Sequence, residues 1–226
     1  MWVLLPAIES PPRTRGIMIS LQERTSQPGM TAVPAFLHAL LRQVEPYPAA
    51  VQNARWDILA FNRSYDALFG LESVPARNRN AALLYFTDPG LRDLRPDWED
   101  GAALIVARLR AAMTRHGSEA AWTALLARLR EASPEFSRLW EQDSSTADCG
   151  SVPERFVHPV AGRLRLARFH LWAEPREDGL VAVGYTPADV ATAAKLPRLQ
   201  ALSTASTSTA DISSARGRRQ LAGHAG

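Results

Sequence analysis

The chain has 226 residues, 46% of them hydrophobic and 6 of them Trp, enough for one domain of ordinary size with a substantial core. Between Val33 and Val190 stand 18 Arg against 20 Asp and Glu, a net of −2, and the flanks hold 8 basic and 3 acidic residues. The globular part therefore has no basic excess for a phosphate backbone. Cys149 is the only cysteine, which excludes an internal disulfide and fits a reducing cytoplasm.

No run approaches the ~20 apolar residues of a membrane span. Residues 1–30 mix Pro, Arg, Ser, Gln and Gly without a sustained period, and the apolar opening from Met1 to Ile8 lacks the basic start of a signal peptide. A flexible segment is expected there. Thr31 to Val44 reads as the first helix, with Val33, Phe36, Leu37, Leu40 and Leu41 on one stripe and Pro46 and Pro48 stopping it.

The stretch from Arg55 to Gly70 is the most informative in the chain. Ile58, Ala60 and Asn62 alternate with Asp57, Leu59 and Phe61, the two-residue period of a strand. Asn62 then stops the strand and caps a helix carrying Tyr65, Leu68 and Phe69, which Gly70 ends. A strand that turns into a helix at an Asn is how many small sensory domains of the PAS type begin, and it points to binding rather than catalysis.

Asn78 to Phe86 reads as a short helix, and Thr87-Asp88-Pro89-Gly90 as a turn. Asp97 is a natural N-cap for a helix that ends at Arg115-His116-Gly117, with Glu99 and Asp100 at the positive end of its dipole. Ser118 is expected to cap the next helix, whose Trp122, Leu125, Leu126 and Leu129 recur at helical spacing. Ser133-Pro134-Glu135 starts a third, with Phe136, Leu139 and Trp140 on it.

Residues 143–153 read as a loop. From Glu154 the period changes to that of strands, near 154–158, 163–173 and 179–186, with turns at Pro159–Gly162 and Pro175–Gly179 that predict antiparallel hairpins. Low hydrophobicity argues for a disordered tail over 203–226. The fold class is thus α+β: an antiparallel sheet covered on one face by helices, with disordered N- and C-terminal tails around a domain at 31–202.

Seven pieces in order, over about three-quarters of the chain, carry a family resemblance. They are Arg55-Trp56-Asp57-Ile58-Leu59-Ala60-Phe61-Asn62, Leu68-Phe69-Gly70, Phe86-Thr87-Asp88-Pro89 and Pro96-Asp97-Trp98. Ala132-Ser133-Pro134-Glu135-Phe136 with Leu139-Trp140, Phe156-Val157-His158-Pro159 with Gly162 and Leu164, and Tyr185-Thr186 complete them. The stretch from about Val33 to Leu202 resembles the ligand-binding domain of MmyB-like transcription regulators, a PAS-like module of bacterial, mainly actinobacterial, regulators. The resemblance implies a domain that holds a small apolar ligand such as a fatty acid, joined in such regulators to a preceding helix-turn-helix of the Xre type. Residues 1–30 are too short and Pro-rich for that unit, so direct DNA binding by this chain is not expected.

For a pocket between sheet and helices the candidates are Trp56, Phe61, Phe69, Phe86, Trp98, Trp140, Phe156 and Phe169, since binding cavities are mostly apolar. Core packing is the plainer reading of any one of these rings. Arg77, Arg79, Arg92 and Arg95 flank the Phe86-Thr87-Asp88-Pro89 turn. They read as a solvated face or as partners of a ligand carboxylate, and Arg79, beside Asn80, is the foremost candidate because a guanidinium suits a carboxylate.

His158 and His170 read as structural, because no third donor at metal-ligand spacing accompanies them. Cys149 has no cationic neighbour to lower its pKa. With no nucleophile elbow, phosphate-binding loop or dinucleotide fingerprint present, neither an enzyme nor a cofactor is expected. Two functions remain, a ligand-sensing domain of a transcription regulator or a packed interaction module that dimerises with itself or an intact paralogue; a truncated remnant without function is the third possibility.

Overall fold

A computed structural model of the chain describes residues 33–117, 119–142, 153–172 and 179–201. The tails expected to be flexible, Ser118, Cys149 and the greater part of the 143–153 and 175–179 connections lie outside the described residues. Helix α1 (Ala35–Gln43) buries Leu37 and Leu41. Two prolines then carry the chain into β1 (Ala49–Gln52), and β2 (Ile58–Phe61) returns antiparallel beside it. Asn62 ends β2 and caps α2 (Arg63–Phe69) by accepting from the Tyr65 N–H, and Gly70 closes α2 in the left-handed region at φ 67°, where glycine has no Cβ penalty.

Asn80 caps α3 (Ala81–Thr87) through both Ala82 and Leu83 N–H. Thr87-Asp88-Pro89-Gly90, expected as a turn, instead opens the short helix α4 (Pro89–Asp93): Asp88 caps it and Pro89 takes the first helical position. The residue types that build a turn are also those that start a helix. Helices α5 (Trp98–His116), α6 (Ala120–Ala132) and α7 (Pro134–Glu141) follow, and Ser133 caps α7 by accepting from Phe136 N–H.

Strands β3 (Glu154–His158), β4 (Gly162–Trp172) and β5 (Val181–Pro187) complete the sheet, and a short α8 (Val190–Ala193) follows it. The five strands lie in the order β2-β1-β5-β4-β3, each antiparallel to its neighbour. Strands β3 and β4 form the expected hairpin, from Glu154 opposite Leu166 to His158 opposite Gly162.

Alternation along β1 assigns the faces. Ala50 joins a core with Phe156, Leu164, Leu166 and Tyr185 from the sheet and with Tyr65, Phe69, Leu84 and Leu94 from the helical side. Its neighbours Ala49 and Val51 pack instead with Leu37 and Leu41, so α1 lies on the opposite face. The remaining helices build a second layer through α3: Leu84 faces the sheet, while Leu83, Tyr85 and Phe86 join Trp98, Trp122, Leu129 and Phe136. The result is the α+β class expected, except that α1 covers the sheet face expected to be free of helices, because Ala49 and Val51 are apolar on that side too; the polar centre lies at the seam between the two larger cores.

Candidate functional site

On β4 the inward positions run Leu164, Leu166 and then Arg168, since every second residue faces the helices. The register sets Glu154 opposite Leu166, Phe156 opposite Leu164 and Tyr185 opposite Arg168, so the sheet presents an acid, a base, a phenol and a phenyl ring on one face. Helix α2 adds Tyr65 and Phe69, α3 adds Tyr85, and the α4–α5 connection adds Arg95.

The rings form a box. Tyr65 and Phe69 are 4.6 Å apart between centroids, Phe69 and Tyr185 5.7 Å, and Phe156 and Tyr185 5.9 Å. The Arg95 guanidinium sits over three rings at once, 5.1 Å from Phe69, 5.0 Å from Tyr85 and 5.2 Å from Phe156, a cation–π arrangement. Its Nη1 donates to the Leu91 carbonyl at 3.1 Å. Arg168 pairs with Glu154 at 2.6 Å and hydrogen-bonds the Tyr185 hydroxyl.

Two features mark this centre. The Nε of Arg95 and the Nε of Arg168 are both shut off from solvent and have no hydrogen-bond partner among the described residues. Among the described residues, moreover, only one of these two guanidinium groups has a carboxylate partner: Glu154 pairs with Arg168, while Arg95 forms no ion pair. A guanidinium keeps its charge, and a half-buried one is costly to leave uncompensated.

Burial pushes the Tyr85 phenol up to about 12 and raises Tyr65 and Tyr185 well above the ordinary phenol value. All three stay protonated; the Tyr85 hydroxyl donates to the Trp98 carbonyl at 2.9 Å, which leaves Tyr65 and Tyr185 as the phenols able to donate to a ligand. Burial opposes the charge on Arg168, and Tyr185 and Glu154 more than restore it. The arrangement suits an anionic headgroup on an apolar body: fork-shaped donors, phenols and hydrophobic walls.

The residues proposed from the sequence are distributed by the fold. Phe69 and Phe156 are walls of the box. Phe61 packs against the same core under Arg79. Phe86 and Trp98 are buried in the helical core, with Trp56 and Trp140 packed against it. Phe169 lies elsewhere: paired with Gly184 on the face that α1 covers, its ring occupies the space a Cβ at Gly184 would need.

Arg79 is engaged by the backbone, its Nε donating to the carbonyls of Leu71 and Val74 at 3.1 and 2.9 Å. Asn80 bridges Arg55 O and Asp57 Oδ1, both at 2.8 Å. Arg92 is exposed and lies 4.0 Å over Trp98, pairing with Glu135. Asp97, expected as an N-cap, makes no capping bond; its carboxylate is held by Arg155 from β3, which lowers its pKa.

Sequence reasoning ranked Arg95 behind Arg79 and passed over Arg168, Glu154 and the three tyrosines. A signal was present: Leu164, Leu166 and Arg168 share one strand phase, so the alternation that makes two of them core residues makes the third an inward charge.

Two open clefts flank the helical layer. One, of about 810 Å³, lies between Pro75, Asn78, Leu83, Asp88 and Arg128. The other, of about 450 Å³, is lined by Arg95 together with Arg92, Pro96, Asp97 and Trp98. Neither is lined by Arg168 or the tyrosines, and Arg95 is the residue common to the second cleft and the box.

His158 is structural, as expected. Its Nδ1 accepts from Val160 and Ala161 N–H at 3.2 and 3.1 Å, which leaves Nε2–H to donate to the Ala67 carbonyl at 3.1 Å. Burial lowers its pKa below the ordinary 6.5. Protonation is thus disfavoured in the fold. The stabilisation is complete above pH ~6.5 and is lost as pH falls through that value toward the lowered one. Thermal melts from pH 7.5 to 5 should show this loss, and His158→Gln should flatten that part of the curve. An unchanged profile in the variant counts against the assignment.

A helical layer over an antiparallel sheet, closing on a polar centre, defines an α+β domain. The chain belongs to the MmyB-like transcription regulator ligand binding domain family, whose model matches residues 33–199. No curated protein matches the chain. No described helix is long and apolar enough to cross a membrane.

Proposed function

We propose that this chain is a cytoplasmic, non-catalytic, PAS-like sensor of a bacterial regulator, and that its ligand is a small amphipathic carboxylate of the fatty-acid kind. Family membership supports the sensor role. One observation carries the choice of a carboxylate: two guanidinium groups in an aromatic box, each with an unpartnered Nε, against a single acid. A carboxylate would balance the charge and take up donors that nothing else satisfies. The antiparallel sheet and the strand that turns into a helix at Asn62 support the PAS-like reading.

The test is thermal shift and native mass spectrometry of the protein with C8 to C16 fatty acids and their methyl esters. Saturation at about 100 times Kd stabilises by roughly 2.7 kcal/mol, which for a domain of this size is a rise of roughly 5–10 °C. Acids should produce it and esters should not. Equal shifts from both, or none from either, would refute the carboxylate reading.

The rival reading, a dimerising interaction module, draws on Phe36 of α1, 61% exposed on an otherwise amphipathic helix. A concentration-dependent dimer abolished by Phe36→Ser, together with no ligand response, would favour it.

A further inference from the structure

Glu154 occupies the position at Arg168 that a ligand carboxylate needs. It is the first residue of edge strand β3, and its side chain reaches Arg168 diagonally across the β3–β4 pair, 2.6 Å from Nη2. Both side chains are a little under one-third exposed, so the pair sits at the rim of the box rather than sealed within it. The contact engages Nη2 and leaves Nε free. A guanidinium bound along its Nε–Nη2 edge takes a carboxylate through two parallel bonds, and the Glu154 ion pair uses half of that edge.

We infer that Glu154 is an internal stand-in for the ligand's headgroup: a specificity residue that holds Arg168 until an external carboxylate replaces it. The inference rests on the carboxylate reading above. A neutral headgroup cannot exchange with Glu154, because it would leave both charges unpaired at the rim of a low-dielectric space. An acid can, because one ion pair replaces another and the free Nε gains a partner. Apparent affinity is then reduced by the fraction of molecules in which Glu154 holds Arg168.

The exchange also has a defined mechanical limit. Further along β3, Arg155 grips Asp97 at the start of α5 and Val157 N–H donates to Leu94 O at 2.8 Å. Displacing Glu154 therefore loosens only the head of the strand.

The experiment compares decanoate with decan-1-ol as probes, by titration calorimetry on the full chain, for wild type, Glu154→Gln and the shortened acid Glu154→Asp. Glu154→Gln should bind decanoate about tenfold tighter, as expected when an internal competitor is removed, with Glu154→Asp in between and decanol unchanged throughout. In wild type, saturating decanoate should speed amide exchange at Glu154 and leave Val157 protected; this readout does not depend on any variant folding.

If wild type binds decanoate but Glu154→Gln binds no tighter, or if exchange at the head of β3 does not change, Glu154 is only a structural partner of Arg168 and the inference falls while the carboxylate reading stands. If neither protein binds decanoate, both fall together.

Discussion

Replacing Asn62 with alanine should lower the melting temperature by roughly 10 °C, the larger of the two structural effects expected here. Asn62 is buried, with 6% of its surface exposed, and uses both ends of its amide. Its Oδ1 accepts from the N–H groups of Ala49 and Tyr65, both at 3.0 Å; its Nδ2 donates to the carbonyls of Leu41 and Tyr47 at 3.1 and 2.8 Å. One side chain thereby fastens the end of α1, the start of β1 and the first turn of α2.

Alanine would leave two donors and two acceptors without partners, most of them buried. Losing an N-cap alone costs about 1 kcal/mol, and each stranded buried group about 1–3 kcal/mol. Allowing for water reaching some of them, the total is about 4 kcal/mol. At about 2–4 °C per kcal/mol for a domain of this size, differential scanning calorimetry should register the fall without difficulty. A drop below about 3 °C would show that the hub is dispensable.

Arg168→Met should abolish recognition of the carboxylate while leaving the fold intact. Truncating one member of a buried charge pair at an interface weakens binding by about 2–5 kcal/mol, which corresponds to a loss of roughly two orders of magnitude in decanoate affinity. Methionine fills a similar volume, and Glu154, a little under one-third exposed at the head of edge strand β3, can turn its freed carboxylate to water. The melting temperature without ligand should therefore move little, although Glu154 loses its partner.

Arg168→Lys separates charge from geometry. It keeps the positive charge but loses the flat fork, and should bind decanoate about tenfold more weakly than wild type. If the methionine variant still gains the full thermal shift with decanoate, Arg168 is not the anchor. The remaining candidate would be Arg95, whose guanidinium lies over the rings of Phe69, Tyr85 and Phe156.

These two residues also divide what could be read in the chain from what could not. Asn62 was legible, because N-cap chemistry is local: a strand period ends, a side-chain acceptor follows, and a helical period begins. Ser133 before Pro134 and the hairpin at Pro159–Gly162 were legible for the same reason. Strand β1 was harder, because Ala49–Gln52 is buried on both faces and so shows no alternation.

Where sequence reasoning misjudged, a distant partner decided. Asp97 has the composition of a cap, yet Arg155 arrives from a strand over fifty residues away and takes its carboxylate. Arg79 has the chemistry of a carboxylate receptor, yet the carbonyls of Leu71 and Val74 reach it first.

By itself the sequence determined the α+β class, the caps at Asn62 and Ser133, most helix boundaries and the three C-terminal strands, because each follows from periodicity and side-chain chemistry within a few residues. Only the tertiary structure decided that β1 pairs with β5 at the far end of the chain, that Phe169 turns away from Phe156, and that Arg95 and Arg168 reach the same cluster of aromatic rings. The physical reason is that register and burial are set by contacts between remote segments. A guanidinium does not change along the chain; what it binds depends on which carbonyl, ring or carboxylate the fold brings beside it.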